Sequence, residues 1–481
     1  MDDFEKYLDK VGEVGVVEEL THSLAYVSGL PLVHPLEAVI FENGDLGQVL
    51  SLTLERAEVL ILENNNIRVG TKVARTNDML QVPISNALLG RMVDPLGRPL
   101  DGKLMDYKNV QRTAVDSQPH GIIGRVKIAH PLTTGISLVD IIVPLAKGQR
   151  ELVIGDRKTG KTEFLLQVME HQSKQGTLCI YAIIGQRKED IKRRFEFMSE
   201  VGILKNGIII ATSSSDESGL IFFTPFTAMT IAEHFRDQGK DVLLILDDMT
   251  THARVYRQIS LLAHRFPGRN AYPGDIFYLH SRIIERAGNF KTGSITALPV
   301  AETIMGDLSG YLQTNLMAMT DGHVFFDIDL FNAGKRPAVS PFLSVTRVGH
   351  QAQSPLLKDI SRQVLSFLVS YERMKQFVHF GAEAGETVRG IIELGKKVDL
   401  FFDQPSNVLI PISANLLILG AIWSGIWNEI PAKDLKAKFE KIILNYETNA
   451  SYKQKVDATI AKLSYFSELI NEVRKNSELI Q

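Results

Sequence analysis

The stretch Gly155-Asp156-Arg157-Lys158-Thr159-Gly160-Lys161-Thr162 has the pattern Gly-x-x-x-x-Gly-Lys-Thr, and its surroundings decide how it is read. It follows the apolar run Glu151-Leu152-Val153-Ile154, a predicted buried strand. It precedes Glu163-Phe164-Leu165-Leu166-Gln167-Val168-Met169, where apolar residues recur at helical spacing. Strand, loop and helix in that order build a phosphate site. Gly155 and Gly160 let the backbone curl, so that the N–H groups of the loop converge on phosphates at the positive end of the new helix. In this reading the whole loop, Asp156, Arg157, Lys158 and Thr159 included, contacts a nucleoside triphosphate. Lys161 reaches the terminal phosphates and the Thr162 hydroxyl holds a magnesium ion.

Outward from the loop, apolar runs alternate with amphipathic segments. The runs are 151–154, 177–184, 207–211 and 242–246, and helices are expected to start near Gly160, Lys188, Thr224 and Thr250. This alternation predicts an α/β domain with a mainly parallel sheet covered on both faces. Its ligands belong at the carboxyl ends of the strands, where the Gly155 loop lies. The run 242–246 ends in Asp247-Asp248. Asp247, at the strand tip, suits the residue that orients a magnesium shell through water in P-loop proteins, while Asp248, just before Met249-Thr250-Thr251, suits a helix cap. The run 179–184 ends in Gly185-Gln186-Arg187, which puts Gln186 where a general base would stand. Glutamine cannot take a proton but can orient a water, so hydrolysis stays open. Arg347 follows a predicted strand in Leu343-Ser344-Val345-Thr346-Arg347-Val348-Gly349. From the residues alone it serves a phosphate, in its own chain or a neighbour's, or forms a surface salt bridge.

The flanks differ in character. Residues 1–75 read as short strands around Val14–Val17, Leu24–Val27, Ala38–Phe41, Gly47–Leu52 and Glu58–Leu62, broken at Ser28-Gly29, at Glu42-Asn43-Gly44-Asp45 and at Glu63-Asn64-Asn65-Asn66. That spacing predicts a small β-barrel or sandwich. The Gly- and Pro-dense segment from Leu89 to Pro99 marks the entry to the nucleotide domain, expected over 76–352. Long amphipathic stretches, Lys358 to Phe380 and Tyr452 to Ile480, predict a C-terminal α-helical domain over 353–481. Val408 to Trp427 carries no charge, but Pro411, Ser413, Asn415, Gly420, Ser424 and Gly425 interrupt it, so a buried bundle helix is expected rather than a membrane span.

Composition sets outer bounds. At 481 residues, with 44% hydrophobic and 23% charged residues, the chain builds more than one core. A net charge of -3 gives no bulk attraction for nucleic acid. The single cysteine, Cys179, sits inside an apolar run and reads as a small hydrophobe, and one cysteine allows no disulfide framework. The opening Met1-Asp2-Asp3-Phe4-Glu5 has neither signal- nor transit-peptide character, so a cytoplasmic, bacterial start is expected.

With these positions in hand the chain resembles the alpha subunits of the F-type ATP synthases over nearly its whole length. The stretches that carry the resemblance are Gly148-Gln149-Arg150-Glu151-Leu152 leading into the loop, Tyr181 to Gln186, Glu233-His234-Phe235-Arg236-Asp237 and Tyr256-Arg257-Gln258. Phe266 to Asp275, Leu279-His280-Ser281-Arg282 and Ser344 to Gly349 complete them. The resemblance implies barrel, nucleotide domain and helical bundle, in an alternating ring of three alpha and three beta subunits around a gamma shaft. It also implies a peripheral place on the cytoplasmic face of the bacterial inner membrane, and ATP synthesis or hydrolysis coupled to proton or sodium transport. The alpha sites hold ATP or ADP with Mg2+ and do not turn over, and Gln186 stands where the beta subunit carries its glutamate. Arg347 matches the arginine that alpha projects into the beta site, Arg336-Pro337 the segment beside the adenine, and Gln404 the region of base-contacting glutamines. Phe266 to Asp275 matches the loop facing the shaft. Four differences stand out: Lys158 in place of the family's common glutamine, a shorter loop at Asn289-Phe290-Lys291, a divergent segment Phe402-Asp403-Gln404-Pro405-Ser406, and an N-terminal helix reduced to about Asp2 to Lys10, where the family meets the delta subunit of the peripheral stalk. Two alternatives are a self-sufficient hexameric motor, of secretion or RNA-translocating type, and a ring subunit of a divergent non-synthase assembly. The first predicts a glutamate at position 186.

Overall fold

The computed structural model describes residues 3–107, 110–379 and 385–480. Met1, Asp2 and Phe380, named in the sequence reading, lie outside them. The chain forms two compact units: Met1–Lys127 with Ser173–Thr303 and Asp307–Thr320, and Ile128–Gln172 with Ile304–Gly306 and Asp321–Gln481.

In the first unit a short helix, Asp3–Val11, precedes six strands, β1 (Val14–Thr21), β2 (Leu24–Ser28), β3 (Glu37–Phe41), β4 (Leu46–Leu52), β5 (Ala57–Ile61) and β6 (Lys72–Met79). They close into a barrel in the order β1-β2-β5-β4-β3-β6. Its core is mainly β-branched, with Val17, Val27, Val39, Val49, Val59, Ile61 and Val73 around Phe41. β6 escaped the sequence reading because its centre is polar: Arg75 is buried and doubly bonded to Glu37, each contact 3.0 Å.

The same unit carries parallel strands in the spatial order Ser294–Glu302, Asp241–Asp247, Leu178–Gln186 and Gly207–Ser213. The intervening helices are Lys188–Glu200, Ser218–Asp237 and Met249–Leu262. The expected start at Thr224 is six residues late. Pro225, which follows the expected start, lies inside the helix. Every residue from Gly219 to Ala232 is buried, and this packing holds the turn that a proline weakens.

His252 and His280 are fully buried in this unit, 3.1 Å apart (Nδ1 to Nε2), and His252 Nε2 meets the Phe222 carbonyl at 3.0 Å. With its proton on Nε2, His252 donates to Phe222 and accepts from His280 through Nδ1. Burial pushes the His252 pKa down to about 4 and that of His280 well below the usual range. The unfolded chain therefore binds more protons below the ordinary histidine pKa. Stability is complete above about pH 6.5 and is lost as pH falls toward 4, by on the order of 3 kcal/mol for His252. Asp248, raised to about 6 by burial and by Asp247, works in the opposite sense over its own range. Asp140, raised to about 7 by burial, does the same, so the histidine part is read as a difference: the stability margin of the parent over His252→Gln in thermal melts should shrink from pH 7 to 4.5, and a constant margin would contradict it.

The second unit holds Glu151–Gly155, parallel to Gly322–Phe326, with Val345–Thr346 antiparallel at the outer edge. Its helices include Pro355–His379, Glu386–Phe402, Ile412–Ser424, Ala432–Thr448, Ala450–Ile460 and Phe466–Lys475. The uncharged stretch is the buried helix Ile412–Ser424; Gly420 admits Leu469 and Val473 closely. Among the described residues no helix is long and apolar enough to cross a membrane. The expected run from Tyr452 to Ile480 is divided, because Glu468 takes the N–H groups of Ser464 and Tyr465 (2.8 and 3.2 Å) and starts a new helix.

Candidate nucleotide site

The Gly155 loop joins the strand Glu151–Gly155 to the helix Lys161–Lys174. Gly155 must be glycine, because a Cβ there would lie 2.4 Å from the Phe326 carbonyl of the adjacent strand. Lys158 (φ 61°) and Gly160 (φ 91°) are left-handed, the turn geometry that lines successive N–H groups along a concave, anion-binding surface. The first-turn N–H groups of the helix add to it, since they have no acceptor within the helix. Lys161 Nζ donates to the carbonyls of Gly155 (2.7 Å) and Asp156 (2.6 Å), which holds the ammonium over the loop. Thr159 Oγ1 donates to the Asp156 carbonyl at 2.8 Å, and an Asp156 carboxylate oxygen accepts from Gly306 N at 3.1 Å. Thr162 is partly exposed in the first turn, while Arg157 and Lys158 face solvent. This donor set suits a polyphosphate with a cation at the Thr162 hydroxyl.

The second unit also gathers the two base-side predictions. Gln404 N donates to the Arg336 carbonyl at 2.7 Å, and Arg336 N donates to Asp403 at 3.2 Å. The Arg336 guanidinium lies 3.8 Å above the Phe331 ring, which is also the nearest side chain to Gly160. The Arg336-Pro337 bond is cis. From the phosphate-loop helix, Gln167 Nε2 reaches the Val408 carbonyl at 2.7 Å. The Gln404 amide is committed to protein: its Nε2 donates to Gly135 O (2.7 Å) and Val408 O (2.6 Å), and its Oε1 accepts from Ser137 N (2.9 Å) and Oγ (3.1 Å). Gln404 therefore braces the segment on which it sits.

In the first unit, Gln186 and Asp247 come together at the strand ends. Gln186 Nε2 donates to the Asp247 carbonyl at 3.2 Å, and Tyr181 Oη donates to the Asp247 carboxylate at 2.7 Å. Arg194 bonds to Gln186 Oε1 and lies 3.6 Å from Asp247. The sequence reading missed Arg194 among the basic residues 192–194. The helical spacing gave a signal, because position 194 shares a face with Ile191 and Met198, both buried. Asp248 caps the helix Met249–Leu262 through Thr251 N. Cys179 is buried, with its thiol pushed up to about 12, so it is inert.

Arg347 N donates to the Asp321 carbonyl at 3.0 Å, which fixes its backbone. Its side chain is exposed, and among the described residues the guanidinium has no ion-pair partner. Phe342, Leu343 and Val345 beside it are also exposed.

The model of the ATP synthase alpha/beta family, nucleotide-binding domain, matches residues 135–346, and that of the ATP synthase alpha/beta chain, C terminal domain, matches 353–476. The chain belongs to the ATP synthase alpha/beta family. Within that family it is 38% identical over 475 residues to ATP synthase subunit alpha of Staphylococcus aureus strains JH9 and JH1, which covers 98% of this chain and 91% of each relative. It is thus an alpha-type, nucleotide-binding member of a membrane-associated ATP synthase complex, and the self-sufficient motor is not favoured.

Proposed function

We propose that this chain holds nucleotide without turning it over and serves catalysis through Arg347, which it projects into the active site of a neighbouring beta-type subunit. The observation that carries this reading is the exposed guanidinium, without an ion-pair partner among the described residues, on a backbone held by Asp321 and flanked by exposed Phe342, Leu343 and Val345. The surface salt bridge, the alternative left by the sequence, finds no support in that arrangement. Gln186 has no proton-accepting group, and its amide is tied to Arg194 and Asp247, which accounts for silence at the chain's own site.

In this reading Gly155 to Thr162 hold the phosphates of ATP or ADP, and Thr162 and Asp247 hold Mg2+, which neutralises phosphate charge when bound. Arg336 and Pro337 flank the base, and Gln404 supports that flank. The domains divide at about 352 and, because β6 closes the barrel at Met79, just past the expected 75. Beta subunits alternate with this chain around a gamma shaft, faced by the loop that carries the exposed Phe266. The N-terminal helix meets the stalk, and the complex sits on the cytoplasmic face of the membrane, coupled to proton or sodium flow.

Hydrolysis by the chain alone and after reconstitution with its beta partner tests the reading. Silence alone and activity together are expected, whereas substantial turnover by the chain alone would overturn it. Lys158 adds an exposed positive charge to the loop, so Lys158→Gln should weaken ATP binding roughly three- to fivefold. An unchanged affinity in a nucleotide titration would refute that role.

A further inference from the structure

Immediately before the phosphate loop, three consecutive residues grip the segment that bears Arg347. Arg150 forms a forked pair with Asp321 (2.8 and 3.1 Å), and Asp321 in turn accepts Arg347 N through its carbonyl. On the other face of the strand, Gln149 is fully buried, and its Oε1 accepts from Ala146 N at 2.9 Å, which fixes the orientation of the amide. One Nε2 proton then goes to Glu151 Oε2 (2.6 Å) and the other to Thr346 Oγ1 (3.0 Å). The Thr346 hydroxyl is saturated: it accepts from Gln149 and from Gly349 N (3.1 Å) and donates to the Pro144 carbonyl (3.1 Å).

Glu151 closes this relay. It is fully buried, and its Oε1 has no partner among the described residues. Both carboxyl oxygens crowd the Cα of Gly322, where a Cβ would come within 2.7 and 2.8 Å of them, and the Val345 carbonyl crowds the same point. Burial, with repulsion from Asp321, holds this carboxyl well above the usual range even though Gln149 and Arg347 oppose the shift. Through its Oε2, Glu151 fixes one Nε2 proton of Gln149 and so aims the other at Thr346, the residue next to Arg347.

We propose that Glu151 is a positioning residue for Arg347, acting through Gln149 and Thr346. This rests on the reading of Arg347 given above. The test is steady-state ATP hydrolysis by the complex reconstituted with its beta and gamma partners, together with ATP binding to this chain. Glu151→Ala and Thr346→Val should each lower kcat roughly tenfold or more, with KM and the chain's own ATP affinity unchanged within threefold. Glu151→Gln, neutral and of the same shape, should stay within threefold of the parent. Parental kcat in Thr346→Val overturns the proposal, as does a loss in Glu151→Gln equal to that in Glu151→Ala. If Glu151→Ala fails to assemble, Thr346→Val decides. Arg347→Ala serves as the reference: full activity there defeats the reading of Arg347 itself, whereas collapse there with Thr346→Val intact defeats only the relay.

Discussion

Arg347→Ala should reduce ATP hydrolysis by the reconstituted complex by on the order of 10³-fold or more, the range found when an arginine finger supplied by a neighbour is removed. Negative charge spreads over the transferring phosphoryl group as the reaction proceeds, and a guanidinium placed there in advance stabilises it without reorganising solvent. Structure suits Arg347 to that task, because Asp321 holds its backbone while its side chain has no ion-pair partner among the described residues. For the same reason the substitution should leave folding alone: the side chain is exposed and breaks no salt bridge. Arg347→Lys should recover little, since an ammonium keeps the charge but loses the planar fork. The chain's own ATP affinity should match the parent. A loss below tenfold in an assembled complex would mean that the partner's chemistry runs without this residue.

The phosphate loop was legible because its constraints are local: a strand, two glycines, a lysine and a threonine within a dozen residues define both geometry and charge. The parallel strands were legible for a similar reason, since burial on both faces leaves continuous apolar runs. What escaped depends on partners distant in sequence. β6 hides behind Arg75, whose burial makes sense only beside Glu37. The helix expected from Thr224 begins at Ser218, because packing on every side carries it through Pro225. The resemblance set Gln404 in the region of base-contacting glutamines, but Gly135, Ser137 and Val408 occupy its amide. Arg194 gains its meaning only from the fold, which sets it against Gln186 and Asp247.

Lys161→Met separates the chain's own nucleotide site from its service to the neighbour. The ammonium already sits over the loop, bonded to the Gly155 and Asp156 carbonyls at 2.7 and 2.6 Å, so binding a phosphate exchanges these neutral acceptors for anionic ones. Charge-assisted bonds of that kind are stronger than neutral ones, and losing them should cost about 3 kcal/mol, or roughly a 10²-fold rise in Kd. Methionine keeps the aliphatic stem, so the loop retains its packing and the melting temperature should hold. Equilibrium titration of the purified chain with ATP reads the loss directly. Hydrolysis by the reconstituted complex should fall far less than in Arg347→Ala, because Lys161 serves a site that does not turn over. The two variants therefore make opposite patterns, one losing affinity and keeping turnover, the other keeping affinity and losing turnover. If Lys161→Met also abolished turnover, nucleotide on this chain would itself be required for the neighbouring site to work, through the strand that runs from the loop back to Glu151 and the Arg347 anchor.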